Sequence, residues 1–431
     1  MVEFSLPRGM RDIDVDEMEK RLWLESKIES HIRLYGFKRV EPTYIEHLET
    51  LEAKSGSAIL DEIYHFKDKA GRDLGLRFDL TVGIARMVAN NFDYPEPIKL
   101  YAISPMWRYD EPQAGRYRCF WQWDAESFGS NEAFADAEMV ALSLGVMQAV
   151  GLNDVTVKIS HRMLLEGIIR SLGAKSDEQV TSVFRALDKA NKVTEGELRG
   201  LIKTAGFEED QVNTLLRVTE KKGSFDEVKE ITQSVADEWT KNPLKDLEVL
   251  WDELGSLGLR NRCSVDMSIV RGLGYYDGIV FEGFESAGTN LSLFGGGRYN
   301  TLTSIYGKRA LPATGVAGGV ERLMLALERK GVFSAMRKPN RVFVATAGDE
   351  VRSKALSISV QLRQHGVATE YPLKKWSLRR QLEYADAAGF THVLVVGKRE
   401  AEAGRYLLKE LKSGVQTEST LTEVLDRLRP P

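Results

Sequence analysis

Apolar residues at helical spacing, with charges between them, run through residues 16–35 (DEMEKRLWLESKIESHIRLY), where Leu22, Ile28 and Ile32 mark one face and Gly36 ends the helix. An extended segment begins at Phe37–Pro42. Residues 61–78 alternate as short strands about a Lys-Ala-Gly-Arg turn, and Val82–Asn90 returns to helical spacing. Two strand-like runs follow, Ile98–Trp107 and Phe120–Phe128, and the polar loop Asp110–Arg118 between them predicts an antiparallel pair with a long, basic tip. Residues 175–260 are mostly charged and helix-forming, without a site pattern, and read as an inserted helical subdomain. After Pro339 the pattern changes to VFVATA, a helix Val351–His365, VATEYP, a helix Leu378–Ala388, HVLVVG, an extended pair and a last helix Glu418–Leu428. That alternation predicts a compact α/β module with a partly parallel sheet. Lys330–Pro339 is its linker.

A chain of 431 residues exceeds one ordinary core, so roughly two to four domains are expected. Charged residues make up 28%, no long apolar run appears, and MVEFSLPRGMRD lacks the apolar stretch of a signal peptide. The expectation is a cytoplasmic protein with no membrane contact. Only two cysteines occur, Cys119 and Cys263, which excludes a disulfide framework and a cysteine zinc site. The net charge of −4 hides an asymmetry, because residues 340–431 carry 15 Lys and Arg against 11 Asp and Glu. A mildly basic tail on an acidic body permits phosphate contact without demanding it; a solvated charged surface is the commoner explanation of such an excess.

The chemistry-bearing residues fall into four clusters. Val270–Glu282 (VRGLGYYDGIVFE) sets an arginine, glycines and two adjacent tyrosines before an apolar run, a combination suited to an anion beside a small ring, or else to a turn into a strand. In the strand Phe120–Glu126 (FWQWDAE), period-two alternation puts Phe120, Gln122, Asp124 and Glu126 on one face and the tryptophans on the other. The polar face is either a binding surface or the ordinary solvent side of a sheet. In Arg77-Phe-Asp-Leu-Thr81, Asp79 and Thr81 share a side if extended, or cap the following helix. GGGRYN at 295–300 precedes GVAGGVERLMLALERKG, whose helix is apolar nearly all round and should be buried; a buried Arg322 would need an anion, either Glu321, another carboxylate or a ligand phosphate. Neither a dinucleotide fingerprint nor a phosphate-loop motif is present.

The order and wording of these segments resemble a class II aminoacyl-tRNA synthetase, specifically a histidyl-tRNA synthetase of the archaeal and eukaryotic style. YGFKRVEP resembles the first class motif, with its proline, Pro42, at a dimer interface; WRYDEPQAGRYRCFWQWDAESFG resembles the second and GVAGGVERL the third. LRFDLT and RGLGYY are similar to the two signatures peculiar to the histidine enzyme. The resemblance implies an α+β fold: a catalytic domain with a mixed, mainly antiparallel sheet flanked by helices, in two parts (1–174 and 261–330), a helical insertion (175–260) and a C-terminal α/β anticodon-binding domain (340–431). It implies a homodimer acting on L-histidine, ATP and tRNA(His). Arg271, Arg108 and Arg322 would be the catalytic cations, with Arg108, Asp110, Phe120 and Arg322 on ATP. Asp79, Leu80, Thr81, Gln122, Glu126, Arg271, Tyr275, Tyr276 and Tyr299 would surround the histidine, and Gln113 and Arg116 would meet the acceptor end of the tRNA. No residue is implied as a metal ligand. Magnesium would arrive with ATP, held mainly by phosphates and water.

Three positions depart from the family wording. Asp110 stands where many relatives have Glu, Gly274 replaces the aspartate of RGLDYY, and Gly83 replaces a proline after LTV. The rival implied by the same fold is a non-catalytic histidine sensor such as the regulatory subunit of ATP phosphoribosyltransferase, which typically lacks the terminal module and much of the ATP-binding pattern. This chain retains both.

Overall fold

The computed structural model describes residues 4–55, 57–90, 93–111, 117–190, 193–235, 238–270, 275–286, 291–336 and 340–429. They form two compact units, Met1–Ser334 and Ala335–Pro431. The first helix, Val15–Leu34, starts where the Asp14 side chain accepts the Glu17 N–H at 2.9 Å, with Asp16 and Glu17 in its positive first turn. Its buried face is Leu24, Ile28 and Ile32, four residues apart; Leu22, expected on that face, is 56% exposed. Leu22 and Leu24 offered the periodicity two phases, and packing selected the second.

Among the described residues nine strands form the main sheet, in the order Lys38–Arg39, Ile98–Trp107, Cys119–Phe128, Ala313–Gly319, Phe294–Arg298, Ile279–Glu285, Val155–His161, Cys263–Asp266 and Lys222–Gly223. The run from Ile98–Trp107 to Val155–His161 is antiparallel throughout; Lys38–Arg39 and Cys263–Asp266 pair in parallel with their neighbours towards either edge. The mixed, mainly antiparallel sheet expected from the sequence is therefore present. The helices Val15–Leu34, Ala133–Ala149 and Val320–Arg329 pack into the large apolar cluster built on Trp123, Ala125, Val157, Ile159, Phe281 and Val316. A hairpin of His65–Lys67 and Asp73–Leu76, turning at Gly71 with φ +81°, joins Ile45–His47 in a separate three-stranded sheet.

Among the described residues the insertion carries five helices between Asp177 and Ser256, three of them opened by reciprocal caps, Thr194 with Glu197, Glu208 with Gln211 and Ser224 with Glu227. It is not purely helical, because Lys222–Gly223 adds an antiparallel edge strand to Val265 and Asp266. Two residues are too short for a period-two signal, which is why the sequence does not announce them.

In the second unit the sheet order is Ala368–Glu370, Arg341–Thr346, His392–Val396, Arg405–Glu410 and Gln416–Thr420, with the first two pairings parallel and the last two antiparallel. Helices Arg352–Gln364, Leu378–Ala387, Lys398–Ala403 and Leu421–Leu428 accompany it. The last helix begins three residues later than expected, since Gln416–Thr420 pairs as a strand and Thr420 then caps the helix reciprocally with Glu423.

Candidate active site

The strand Cys119–Phe128 is central to the main sheet, and its alternation separates two environments. Trp123 and Ala125 enter the large apolar cluster, while Gln122, Asp124 and Glu126 turn to the other side and are buried there. The polar face is thus not a solvent face. Opposite it, Leu80–Ala89 begins with Asp79 as its cap: Asp79 Oδ1 accepts the Val82 N–H at 3.1 Å, and Asp79 Oδ2 accepts from the Tyr275 hydroxyl at 3.2 Å. Capping and site formation are done by the two oxygens of one carboxylate. Thr81 Oγ1 donates to Asp124 Oδ2 at 3.4 Å, and the Tyr299 hydroxyl donates to Glu126 Oε2.

Tyr275, Tyr276 and Tyr299 form a cluster in which the adjacent pair is tilted, with ring centroids 4.7 Å apart, and each meets Tyr299 edge-on, at 5.6 and 6.4 Å. Glycines make room for this layer. A Cβ on Gly315 would lie 1.5 Å from Glu126 Oε2, and one on Gly296 would lie 2.1 Å from the Gly315 carbonyl. Burial opposes ionisation throughout the group. It pushes the Glu126 carboxyl up to about 7 and, with the nearby Glu126 and Asp79 charges, raises Asp124 well above the usual carboxylate range. The same desolvation, reinforced by carboxylates, raises the phenols of Tyr275 and Tyr299.

Above this floor lies a cleft of about 580 Å³. At one side Arg108, just past the strand Ile98–Trp107, donates from Nε to the Phe78 carbonyl at 2.9 Å and holds its guanidinium 5.2 Å over the Phe120 ring. At another, Arg322 donates from Nη1 to the Ser292 carbonyl at 3.0 Å. The helix Val320–Arg329 carrying Arg322 buries only one side, with Leu325 40% exposed, so the expectation of a helix buried all round is corrected. Arg322 is half-buried and reaches the cleft, while Glu321 is buried and accepts the Trp121 N–H with both carboxylate oxygens, at 3.0 and 3.1 Å. Burial lifts Glu321 to about 7.

Asp79, Arg108, Asp110, Phe120, Gln122, Tyr275, Tyr276 and Arg322 line this one cleft. Thr81, Glu126 and Tyr299 stand behind it, Tyr299 bonded to Glu126 and Thr81 to Asp124, and the Leu80 side chain is fully buried in the apolar cluster with the three tyrosines. Arg271, Gly274, Gln113 and Arg116 lie outside the described residues. Gly83 sits under Pro42, where a Cβ would come within 2.8 Å of the proline's Cβ, so the missing side chain lets the helix and the Pro42 segment touch.

Sequence reasoning missed several cleft residues: Glu62, Leu187, Asp188, Glu282 and Ser292. Glu282 lies in the singled-out segment Val270–Glu282 and faces the cleft by strand alternation. Leu187 and Asp188 end an insertion helix and had no local signal, because only tertiary folding brings that helix to the cleft. Among the described residues no group of three or more His, Cys, Asp or Glu could hold a metal ion, and no helix is long and apolar enough to cross a membrane.

Comparison with known proteins places this site in a family. Residues 9–323 match the model for histidyl-tRNA synthetase, and residues 341–430 that for an anticodon-binding domain. The chain is 37% identical over 437 residues to the histidine–tRNA ligase of Thermococcus kodakarensis, covering 99% of this chain and 100% of that one. It is 35% identical over 425 residues to the histidine–tRNA ligase of Pyrococcus furiosus, covering 98% of each. The crystal structure of a histidyl-tRNA synthetase from Nostoc superposes with a TM-score of 0.85 at 28% identity, covering 99% of this chain and 100% of that chain.

Proposed function

The chain belongs to the histidyl-tRNA synthetase family, and from that premise we infer that it is a histidine–tRNA ligase: it activates L-histidine with ATP to histidyl-adenylate and transfers the acyl group to the 3′ end of tRNA(His). The observation that carries this reading is the pairing, in one cleft, of a buried acceptor floor with half-buried arginines at its sides. Asp79, Gln122, Tyr275 and Tyr276 offer polar partners to a small imidazole-bearing amino acid, backed by Thr81, Glu126, Tyr299 and the Leu80 turn. A competitor lacking the imidazole N–H groups leaves such buried acceptors unpaired, a penalty that reaches about 10⁴-fold.

ATP is read as the second substrate, with its adenine on Phe120 and its phosphates between Arg108 and Arg322, Asp110 accepting nearby. In-line attack of the histidine carboxylate on the α-phosphate forms the acyl–phosphate bond and expels diphosphate. Negative charge grows at the α-phosphate during that step, and guanidinium groups held by main-chain carbonyls, as Arg108 and Arg322 are, meet it without reorganising. Arg271 is assigned by motif to the histidine carboxylate and the α-phosphate, and Gln113 and Arg116 to the acceptor end of the tRNA. Magnesium enters as MgATP, its ligands the phosphates and water.

The domain assignment is a catalytic body (1–174 and 261–330), an insertion (175–260) and an anticodon-binding module (340–431), working in the cytoplasm as a homodimer. Pairing near Pro42 is supported by two exposed apolar side chains just after it, Tyr44 and Ile45; Pro42 itself is buried within its own chain against Gly83. Histidine-dependent exchange of diphosphate into ATP tests the activity directly. Exchange that is absent, or equally fast with other amino acids, would overturn it.

A further inference from the structure

Three carboxyls meet behind the cleft floor. Asp124 and Glu126 project from the same face of the strand Cys119–Phe128, and Asp79 faces them from the start of the helix Leu80–Ala89. Asp124 is fully buried and Glu126 nearly so. Among the described residues neither of these two takes part in an ion pair. Their partners are hydroxyls: Thr81 on Asp124 Oδ2, and Tyr299 on Glu126 Oε2. Among the described residues Asp124 Oδ1 meets no donor. What it has within hydrogen-bonding reach is Glu126, a second acceptor. Among the described residues the other titratable groups facing the pair are Asp79 and the phenols of Tyr275 and Tyr299, none of which carries positive charge.

Two ionised carboxylates in contact, away from water and without a cation, are not a stable arrangement; a hydrogen bond between them requires a proton on one. Such a pair titrates as a unit. Resting on the reading of this floor as the histidine site, we propose that Asp124 and Glu126 hold one proton between them in the empty site and release it when histidine binds, which makes Asp124 a positioning residue that couples histidine affinity to pH. The exchange balances: the O–H···O hydrogen bond between the carboxyls is replaced by N–H···O bonds from the incoming amino acid, and the displaced proton passes to solvent. Asp124 then accepts from Thr81 and keeps Glu126 fixed, while Glu126 is free to accept from the ligand. Because a proton and histidine compete for the same carboxyl, affinity falls as pH is lowered.

Calorimetric titration of the whole protein with L-histidine at pH 7.5, where free imidazole is already neutral, in buffers of differing ionisation enthalpy, measures protons released per site. The expected release is about half a proton or more, and the histidine KM should rise as pH falls from 8.5 to 7, by up to about tenfold per pH unit. Asp124→Asn keeps a hydrogen bond to Glu126 through its amide N–H and removes the shared proton, so release should vanish and the KM should become flat with pH. Infrared difference spectra of the unaltered protein provide a check that needs no variant: histidine should remove the C=O stretch of a protonated carboxyl. Histidine binding with no proton release, or with release undiminished in Asp124→Asn, overturns the proposal. No binding of histidine at all overturns instead the reading of the site on which it rests.

Discussion

Individual carboxyls are where burial and chemistry meet most directly. Glu321 is buried on the helix that also carries Arg322, and burial raises its pKa to about 7 from an ordinary 4.5. The folded state therefore keeps a proton that the unfolded chain gives up, so its contribution is fully present below the unfolded value and is lost as pH rises through about 7. Glu321→Gln preserves an acceptor for the Trp121 N–H and cannot ionise; the melting temperature of the wild type should drop more than that of the variant between pH 5.5 and pH 8. Equal declines would show that Glu321 does not titrate in that window. Gly315 makes a second case. A methyl there would lie 1.5 Å from Glu126 Oε2, and Glu126 is enclosed by Tyr299 and Asp124. Gly315→Ala should raise the histidine KM by about tenfold or more in the exchange assay while leaving the ATP KM little changed. Residue types in FWQWDAE made the polar face legible, but the sequence could not tell a buried acceptor wall from a wet one. That distinction depends on what the helix Leu80–Ala89 and the tyrosines bring over it.

At the scale of elements, the helix Leu80–Ala89 shows why capping and function were inseparable alternatives in the sequence. Asp79 Oδ1 closes the helix and Asp79 Oδ2 takes the Tyr275 hydroxyl. Two substitutions separate these jobs. Asp79→Ser retains a capping oxygen and should cost little stability, whereas Asp79→Ala should cost about 1 kcal/mol; both should weaken histidine binding, because both lack the second oxygen. If Asp79→Ser restored the wild-type histidine KM, the carboxylate would be a cap alone. Elements with long, consistent patterns were readable to within a residue or two, as Ile98–Trp107 and Cys119–Phe128 were. Those set by partners were not: Lys222–Gly223 is a strand only because Val265 and Asp266 lie beside it, and Gln416–Thr420 because Arg405–Lys409 does. The contribution of Leu187 and Asp188 to the cleft has the same origin, since the helix Asp177–Asp188 is an ordinary capped amphipathic helix whose destination is not written in its own residues.

Over the whole molecule, the shift of pattern after Pro339 matches a second compact unit, and the basic excess of residues 340–431 permits phosphate contact without demanding it. That unit has its own core, with Val342, Val344, Ile358, Leu394 and Leu408 all buried in one cluster, while every described residue of the candidate cleft precedes Ser334. On the proposed assignment, adenylation and tRNA selection should therefore be separable by truncation. A chain lacking residues 340–431 keeps the large apolar cluster of the first unit intact. Provided that it folds and assembles as the full chain does, it should retain histidine-dependent diphosphate exchange within a few-fold. Its charging of tRNA(His) should fall sharply, by a rise in the tRNA KM more than by a loss of adenylation. The lost affinity should also be the salt-sensitive part, because Lys and Arg contacts to phosphate weaken as counterion release is suppressed. Measuring the tRNA KM against salt for both chains distinguishes the two causes of a defect: lost packing lowers exchange and charging together at every salt concentration, whereas a lost tRNA contact lowers charging alone and flattens its salt dependence. Undiminished charging by the truncated chain would remove the anticodon-binding role from the second unit.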